Sequence, residues 1–185
     1  MFNTEARTHG IKFEYFHALP GSPKESFNRS HLAILKQFVD SDDDMMLLLE
    51  DDCQFRHLQL LDNVMSEIPP DFDMIYFGVN SRPYDGFALP EYESVHLRRL
   101  KSGYTTHAIV YKKSVAKYIT DTFVAEGYEG MYDQWLDENI LKQYKVYVTV
   151  PFLAVQRPVR SDLWNRPVDY TDTFVQAEIF LKSVL

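Results

Sequence analysis

Apolar and polar positions divide the chain into alternating helical and extended segments. Some stretches repeat apolar residues at helical spacing, and others are short apolar runs of strand length. Helices are predicted over residues 26–39, 56–68, 114–124, 131–144 and 172–185. Strands are predicted over residues 11–17, 45–49, 73–78, 96–100, 107–111 and 146–150. This alternation favours an α/β sandwich with a mostly parallel central sheet.

The apolar run at residues 45–49 marks the part of the sheet where chemistry is expected. Its sequence, MMLLL, is continuously apolar, which is typical of a strand covered on both faces. The run ends abruptly in Glu50, Asp51 and Asp52. Ligands of parallel α/β sheets gather at the carboxyl ends of the central strands, so this acidic triplet is the leading candidate site.

Composition narrows the class of partner. The chain has 185 residues, with 19 Lys and Arg against 27 Asp and Glu, and its formal net charge is −8. This length suits a single domain over residues 1–185. The acidic balance argues against nucleic acid or an anionic membrane as the main partner, because both attract clustered Lys and Arg.

The sequence also bears on cellular location. No apolar run reaches the ~18 residues that span a bilayer, and the opening MFNTEARTHG lacks the apolar middle of a signal peptide. The single cysteine, Cys53, cannot form an internal disulfide and fits a reducing compartment. We therefore expect a soluble, cytoplasmic protein with no membrane span.

The spacing within the acidic triplet predicts a cation site. Side chains alternate along an extended backbone, so Glu50 and Asp52 point to one side and Asp51 to the other. Two carboxylates on one side suit a hard divalent ion, Mn²⁺ or Mg²⁺, with diphosphate oxygens completing the shell. The alternative is a solvated acidic turn, and solvation is what we expect of the second acidic run at residues 42–44.

Five segments form an ordered set of motifs: GIKFEYFHALPG, SHLAILKQFVDSDDDMMLLLEDDCQF, GYTTHAIVYKKSVAKYI, YDQWLDENI and VTVPFLAVQRPVRSD. In this order they resemble segments of glycosyltransferase family 25, the lipooligosaccharide and collagen galactosyltransferase-like proteins. The resemblance spans about residues 10–163 and leaves residues 164–185 as a packing tail. It implies a three-layer sandwich of the glycosyltransferase A type. It also implies transfer of a sugar from a nucleotide-sugar, commonly a UDP-sugar, to a glycan or other hydroxyl acceptor.

The resemblance assigns roles to the acidic residues. Glu50 and Asp52 correspond to positions that contact metal and diphosphate, and Asp51 to a position near the donor sugar or ribose. Asp133 corresponds to the residue that deprotonates the acceptor hydroxyl, which is a poor nucleophile until a carboxylate takes its proton. The alternative for Asp133 is capping of a helix N-terminus.

Four further positions are candidates for the same site. Ser30 and His31 match the family's Ser-His pair and are donor-binding candidates, although His31 could equally be a hydrogen-bonded core histidine. Asp162 matches the closing Ser-Asp motif and is a further donor-binding candidate. His107 could reach the metal from a neighbouring strand, or it could be a strand histidine bonded to a carboxylate. A sugar-stacking platform is predicted from Tyr84, Phe87, Tyr92 and Trp135, with packing as the alternative.

One departure from the family pattern leaves the function open. Family members begin with an apolar strand that cradles the nucleotide base, and the segment MFNTEARTHG does not contain one. A non-catalytic nucleotide-sugar or carbohydrate-binding relative is therefore a second candidate. A metal-dependent phosphoryl-transfer or hydrolytic enzyme using the same carboxylates is a third, although the chain has no Gly-rich phosphate loop.

Overall fold

The computed structural model describes residue 8, residues 10–81 and residues 88–185. Two of the predicted sugar-stacking residues, Tyr84 and Phe87, lie outside these ranges, as does most of the opening segment.

The described residues form five α-helices close to the predicted positions. They are α1 (Pro23–Asp40), α2 (Leu61–Glu67), α3 (Lys113–Ala125), α4 (Tyr132–Asn139) and α5 (Thr171–Lys182). Helix α1 begins before residue 26 because the Ser22 backbone N–H and hydroxyl both donate to Glu25, which closes the first turn around Pro23. Helix α2 is shorter than predicted because Leu58–Leu60 forms a 3₁₀ turn instead. None of the described helices is both long enough and apolar enough to cross a membrane.

The described residues also contain ten strands, which form one large sheet and two small ones. They are β1 (Met45–Leu49), β2 (Cys53–Phe55), β3 (Met74–Tyr76), β4 (Glu91–Tyr92), β5 (Leu97–Arg99), β6 (Ala108–Lys112), β7 (Val146–Thr149), β8 (Ala154–Gln156), β9 (Val159–Ser161) and β10 (Arg166–Val168). The large sheet has six strands in the order β1-β6-β3-β7-β5-β4. Strands β2 and β8 pair with each other, and β9 and β10 form a hairpin.

The predicted mostly parallel sheet is wrong. Of the neighbouring pairs in the large sheet, only β3–β7 is parallel, and the other four are antiparallel. The error has a physical cause, because a continuous apolar run reports burial on both faces and not the direction of the neighbouring strand. Strand β1 is in fact an outer strand, and Met45 and Leu47 are 50% and 38% exposed.

The predicted strand at residues 11–17 is also absent from the described sheets. Its aromatic residues instead contact each other, with the rings of Phe13 and Tyr15 packed edge to face at 5.1 Å. The alternation of apolar residues there was too short to distinguish a strand from an extended segment that packs through its side chains.

Helices and the β2–β8 pair cover the two faces of the sheet. Met74 and Tyr76 of β3 pack in the core beneath α1, α3, α4 and α5, whereas Ile75 and Phe77 pack in a second core with α2, β2 and β8. The tail behaves as predicted, since α5 buries Phe174 in the first core.

The strand directions bring several chain segments to one edge of the sheet. Strands β1, β3 and β7 run in the same direction and β6 runs opposite to them. The carboxyl ends of β1, β3 and β7 therefore lie beside the amino end of β6. Glu50 follows β1 and His107 precedes β6, and the Glu50 N–H donates to the His107 carbonyl at 3.0 Å. The acidic triplet thus follows β1 as predicted, but β1 is an outer strand and not a central one, and antiparallel pairing builds much of this edge.

Candidate functional site

A group of polar side chains meets at this edge. We call it the carboxyl-edge cluster and define it as His31, Glu50, Thr105, Thr106, His107 and Asp133. Helix α1 supplies the first of these, the end of β1 the second, the approach to β6 the next three and the first turn of α4 the last. Most members are partly or fully buried, so their hydrogen-bond partners decide their charge.

Glu50 is the acidic centre of the cluster. Its Oε1 accepts the Thr106 hydroxyl at 2.5 Å and lies 3.4 Å from His31 Nε2. Burial opposes ionisation of this carboxyl, but attraction to His31 and the hydrogen bond from Thr106 outweigh it and hold the pKa of Glu50 below its ordinary value. Glu50 is therefore a carboxylate at neutral pH.

The His31 ring directs its Nε2 atom towards the Glu50 carboxylate. Its Nδ1 lies 3.0 Å from the Phe27 carbonyl oxygen, and because a carbonyl can only accept, Nδ1 carries a hydrogen. Its Nε2 is buried and has no hydrogen-bond partner among the described residues. A neutral His31 would direct a lone pair at the Glu50 anion, which is unfavourable unless a proton or a cation lies between them.

The core reading of His31 also has support. Its ring packs 4.4 Å from the Phe27 ring and 5.0 Å from the Tyr132 ring, and the residue is 5% exposed. The aromatic contacts fix the ring, and the Nδ1 bond fixes its rotation. His31 is thus both a packed core residue and a fixed donor or ligand at the cluster.

His107 follows the same pattern in a fully buried position. Its Nε2 lies 3.2 Å from the Ala154 carbonyl oxygen, so Nε2 carries the hydrogen. Burial lowers the pKa of the imidazole despite the opposing effects of Ala154 and the Glu50 charge. Its Nδ1 is buried without a partner in the described part of the chain. The contact to a backbone carbonyl, in place of the predicted carboxylate, leaves a neutral ring with an unused lone pair.

Asp133 lies next to the loop that enters β6. Its Oδ2 accepts the Thr105 N–H at 3.3 Å, and its Oδ1 accepts the Gln134 N–H at 2.9 Å. Burial raises the pKa of Asp133, and the Glu50 charge adds to this, while the two backbone donors act against it. The N-cap position of α4 is Met131 and not Asp133. Asp133 still satisfies one N–H of the first turn, so helix stabilisation and proton acceptance remain compatible.

Residues 51 and 52 form a turn, so the extended backbone from which a shared side of Glu50 and Asp52 was predicted is absent, and Asp52 instead contacts β8. Its Oδ2 accepts the Gln156 side-chain N–H at 3.0 Å, and its Oδ1 is buried with no partner among the residues described. Burial first, and then the charges of Glu50 and Asp51, raise the pKa of Asp52 to about 7. Asp51 itself is exposed.

Other predicted residues lie away from the cluster. Ser30 Oγ accepts the Leu19 N–H at 2.9 Å and anchors the segment before α1. Asp162 is exposed in the turn of the β9–β10 hairpin. Trp135 is fully buried and donates to Glu126, so it offers no stacking face, and Tyr92 lies under the Arg98 guanidinium.

Sequence reasoning missed two residues of the cluster, Thr105 and Thr106. Thr106 orients Glu50, as described above. Thr105 has a φ of +81°, a conformation that β-branched residues rarely adopt, and its Oγ1 is buried without a partner in the described chain. The only signal in the sequence was a pair of hydroxyl residues directly before a predicted strand.

The free atoms at this edge suit part of a metal shell. Asp52 Oδ1, His31 Nε2 and His107 Nδ1 are buried and make no hydrogen bond within the described residues, although His31 Nε2 lies 3.4 Å from Glu50 Oε1. Carboxylate with imidazole is a donor set that Mn²⁺ accepts. Within the described ranges, however, no three or more His, Cys, Asp or Glu side chains are grouped so that they could hold a metal ion. Any bound ion would therefore take part of its shell from substrate oxygens.

Comparison with models of known protein families gives no match for this chain, and comparison with curated proteins gives none either.

Proposed function

We propose that this protein is a metal-dependent glycosyltransferase with a fold of the glycosyltransferase A type. It would move a sugar from a nucleotide-sugar, a UDP-sugar, to a hydroxyl of a glycan or other acceptor. The observation that carries the proposal is the collection of Glu50, Asp52 and Asp133 with unpartnered buried ligand atoms at one edge of the sheet. The motif resemblance supplies the reaction class.

Asp133 is the proposed general base. The acceptor oxygen attacks the anomeric carbon of the donor while its proton passes to the Asp133 carboxylate. The bond from the anomeric carbon to the diphosphate breaks, and its electron pair leaves with the diphosphate. Two features suit Asp133 to this role, because the Thr105 and Gln134 N–H groups fix its orientation and its raised pKa increases its affinity for a proton.

Glu50 and Asp52 are the proposed holders of a divalent cation, Mn²⁺ or Mg²⁺. Bound there, the ion would supply positive charge to the diphosphate leaving group. The electrostatics favour such an ion, because Asp52 is buried beside the charges of Glu50 and Asp51 and is raised to a pKa of about 7. Neighbouring buried carboxyls of this kind are stabilised in the ionised form by a cation.

The proposal is tested by UDP release from UDP-galactose and UDP-glucose with Mn²⁺, comparing wild type with Asp133→Asn. We expect the variant to lose about 10²-fold or more in kcat, the usual contribution of a general base. Asp121→Asn is the matched control, because Asp121 is an exposed partner of Lys117 on α3. It should leave the rate unchanged.

The outcomes distinguish the candidate functions. A non-catalytic binding protein is expected to bind UDP in the presence of Mn²⁺ but to form no UDP from either UDP-sugar. Folded wild type that neither binds UDP nor turns over either donor contradicts the transferase proposal. Equal rates of UDP release for wild type and Asp133→Asn would contradict the role of Asp133 as general base but not the proposed class of reaction.

A further inference from the structure

Thr105 carries two unfavourable features at one position. Its φ of +81° lies in the left-handed region, where the branched Cβ of threonine crowds the backbone. Its hydroxyl oxygen is also buried with no hydrogen-bond partner among the described residues. A serine would relieve part of the backbone strain, and a glycine would remove both the strain and the buried hydroxyl. The observed threonine is therefore not explained by packing.

Anchors on both sides hold this conformation. Before Thr105, Asp137 Oδ1 accepts the Ser102 hydroxyl at 2.6 Å and the Gly103 N–H at 2.8 Å. Tyr104 and Asn80 exchange backbone hydrogen bonds of 2.9 and 3.1 Å. Residues 102–104 are thus fixed by contacts that do not involve Thr105, and Thr105 adopts the positive φ that connects them to β6.

The anchors after Thr105 connect it to the proposed reaction. The Thr106 hydroxyl donates to Glu50, and the Thr105 N–H donates to Asp133 Oδ2. The free Thr105 hydroxyl is separated from that N–H by only two bonded carbons. The hydroxyl is therefore carried by the same residue whose backbone N–H contacts the carboxylate proposed to take the acceptor proton.

We propose that Thr105 is a substrate-contacting residue whose hydroxyl donates a hydrogen bond to the nucleophilic oxygen of the acceptor. This rests on the proposed function. One lone pair of the acceptor oxygen receives the Thr105 hydrogen and the other attacks the anomeric carbon. The acceptor proton goes to Asp133, and the electrons of the broken carbon–oxygen bond leave with the diphosphate. The bound acceptor supplies the partner that the buried hydroxyl otherwise lacks.

The experiment separates the hydroxyl from the backbone strain with three variants. Thr105→Val keeps the branched shape without the hydroxyl, Thr105→Ser keeps the hydroxyl, and Thr105→Gly removes both hydroxyl and strain. UDP release from UDP-galactose and UDP-glucose with Mn²⁺ is measured with water as the hydroxyl nucleophile, and melting midpoints are measured in parallel. Thr120→Val is the control, because the Thr120 hydroxyl donates to the Lys117 carbonyl of the same helix, α3, in an exposed hydrogen bond.

We expect Thr105→Val and Thr105→Gly to lower kcat about three- to tenfold, the value of one hydrogen bond, with KM for the donor unchanged. Thr105→Ser should retain the wild-type kcat to within about twofold, because it keeps that hydrogen bond. Thr105→Gly should melt about 2 °C or more above wild type, because it relieves the positive φ. A variant that is more stable and yet slower shows that the threonine is kept for the substrate.

Three results overturn the inference. The first is a Thr105→Val kcat equal to wild type, and the second is a Thr105→Ser kcat as low as that of Thr105→Val. The third is a Thr105→Gly midpoint at or below wild type, since no strain would then need explanation. These results differ from failure of the proposed function, in which wild type itself releases no UDP, and that outcome overturns both.

Discussion

Removal of the Asp137 carboxylate should destabilise the protein through the loop that carries the cluster. Asp137 is 8% exposed, and its Oδ1 accepts two donors, the hydroxyl of Ser102, which is 2% exposed, and the N–H of buried Gly103. The change Asp137→Ala leaves both donors without an acceptor. No other hydrogen bond from these two donors occurs within the described chain, so neither loss is compensated locally.

The magnitude follows from the two donors. Each buried donor left unpaired costs about 1–3 kcal/mol, and partial entry of water reduces the sum. We expect Asp137→Ala to lower the free energy of unfolding by about 3 kcal/mol, a fall in melting midpoint of roughly 6–12 °C for a chain of this size. Asp137→Asn keeps an acceptor oxygen and loses only the charge, so it should cost about 1 kcal/mol.

Urea unfolding followed by tryptophan fluorescence measures these values, because Trp135 is fully buried and reports on the core. A double-mutant cycle with Ser102→Ala isolates the contact. The serine change should cost less in the Asp137→Ala background, with a coupling energy of about 1 kcal/mol. Additive effects, or a cost of Asp137→Ala below about 1 kcal/mol, would refute the assignment of this carboxylate as the anchor of the loop.

Two further predictions concern Gly78 and Glu67. A Cβ added at Gly78 would lie 2.0 Å from the Ala154 carbonyl oxygen, so Gly78→Ala should destabilise the protein by about 3 kcal/mol or more; a wild-type urea midpoint would contradict this. Glu67 is partly buried, but hydrogen bonds from Ser94 and His96 outweigh that and lower its pKa. Wild type should be more stable than Glu67→Gln by about 1–2 kcal/mol at neutral pH. Because the pKa of Glu67 is lowered in the folded protein, this difference in the free energy of unfolding should be lost as the pH falls below the ordinary pKa of 4.5. A difference that persists unchanged at pH 3 would count against it.

Local periodicity predicted the helices well where one face is continuously buried. Helix α3 was expected over residues 114–124 and runs Lys113–Ala125, with Val115, Ala116, Ile119 and Phe123 buried. Helix α4 was expected to reach residue 144 and ends at Asn139. Apolar residues continue beyond that point because the chain stays in the core, and burial alone does not distinguish a helix from the turn that follows it.

Strand pairing could not be predicted, because it depends on residues distant in sequence. The register of β1 is set by β6, more than fifty residues later, with Leu47 opposite Val110. Nothing in the MMLLL run indicates that its neighbour is antiparallel. The position of the acidic triplet directly after β1 was nevertheless predicted, since that required only the end of β1 to be located.

Some residues of the carboxyl-edge cluster could be predicted from nearby sequence, and others depend on contacts with residues distant in sequence. Glu50 became a candidate because it directly follows a predicted apolar strand, and Asp133 became one because the motif resemblance gives it the acceptor-activating position. The conformation of Thr105 could not be predicted, because it results from anchors supplied by Asp137 on α4 and by Asn80 beyond β3. A strained position is created by the requirements of its neighbours, and these become visible only when the chain is folded.

The pKa values of Glu50 and Asp133 are shifted in opposite directions, which suits the two carboxyls to different roles in the proposed reaction. The environment of Glu50 favours its anion, since His31 and Thr106 outweigh its burial, whereas burial of Asp133 favours its protonated form. The lowered pKa of Glu50 keeps its negative charge available to a cation, and the raised pKa of Asp133 increases its affinity for a proton. Packing alone requires neither shift, and an apolar residue at either position would bury more favourably. Under the proposed function, these opposed shifts fit charge binding by Glu50 and proton transfer to Asp133, while Asp52, whose pKa is raised to about 7, would bind a cation in its ionised form.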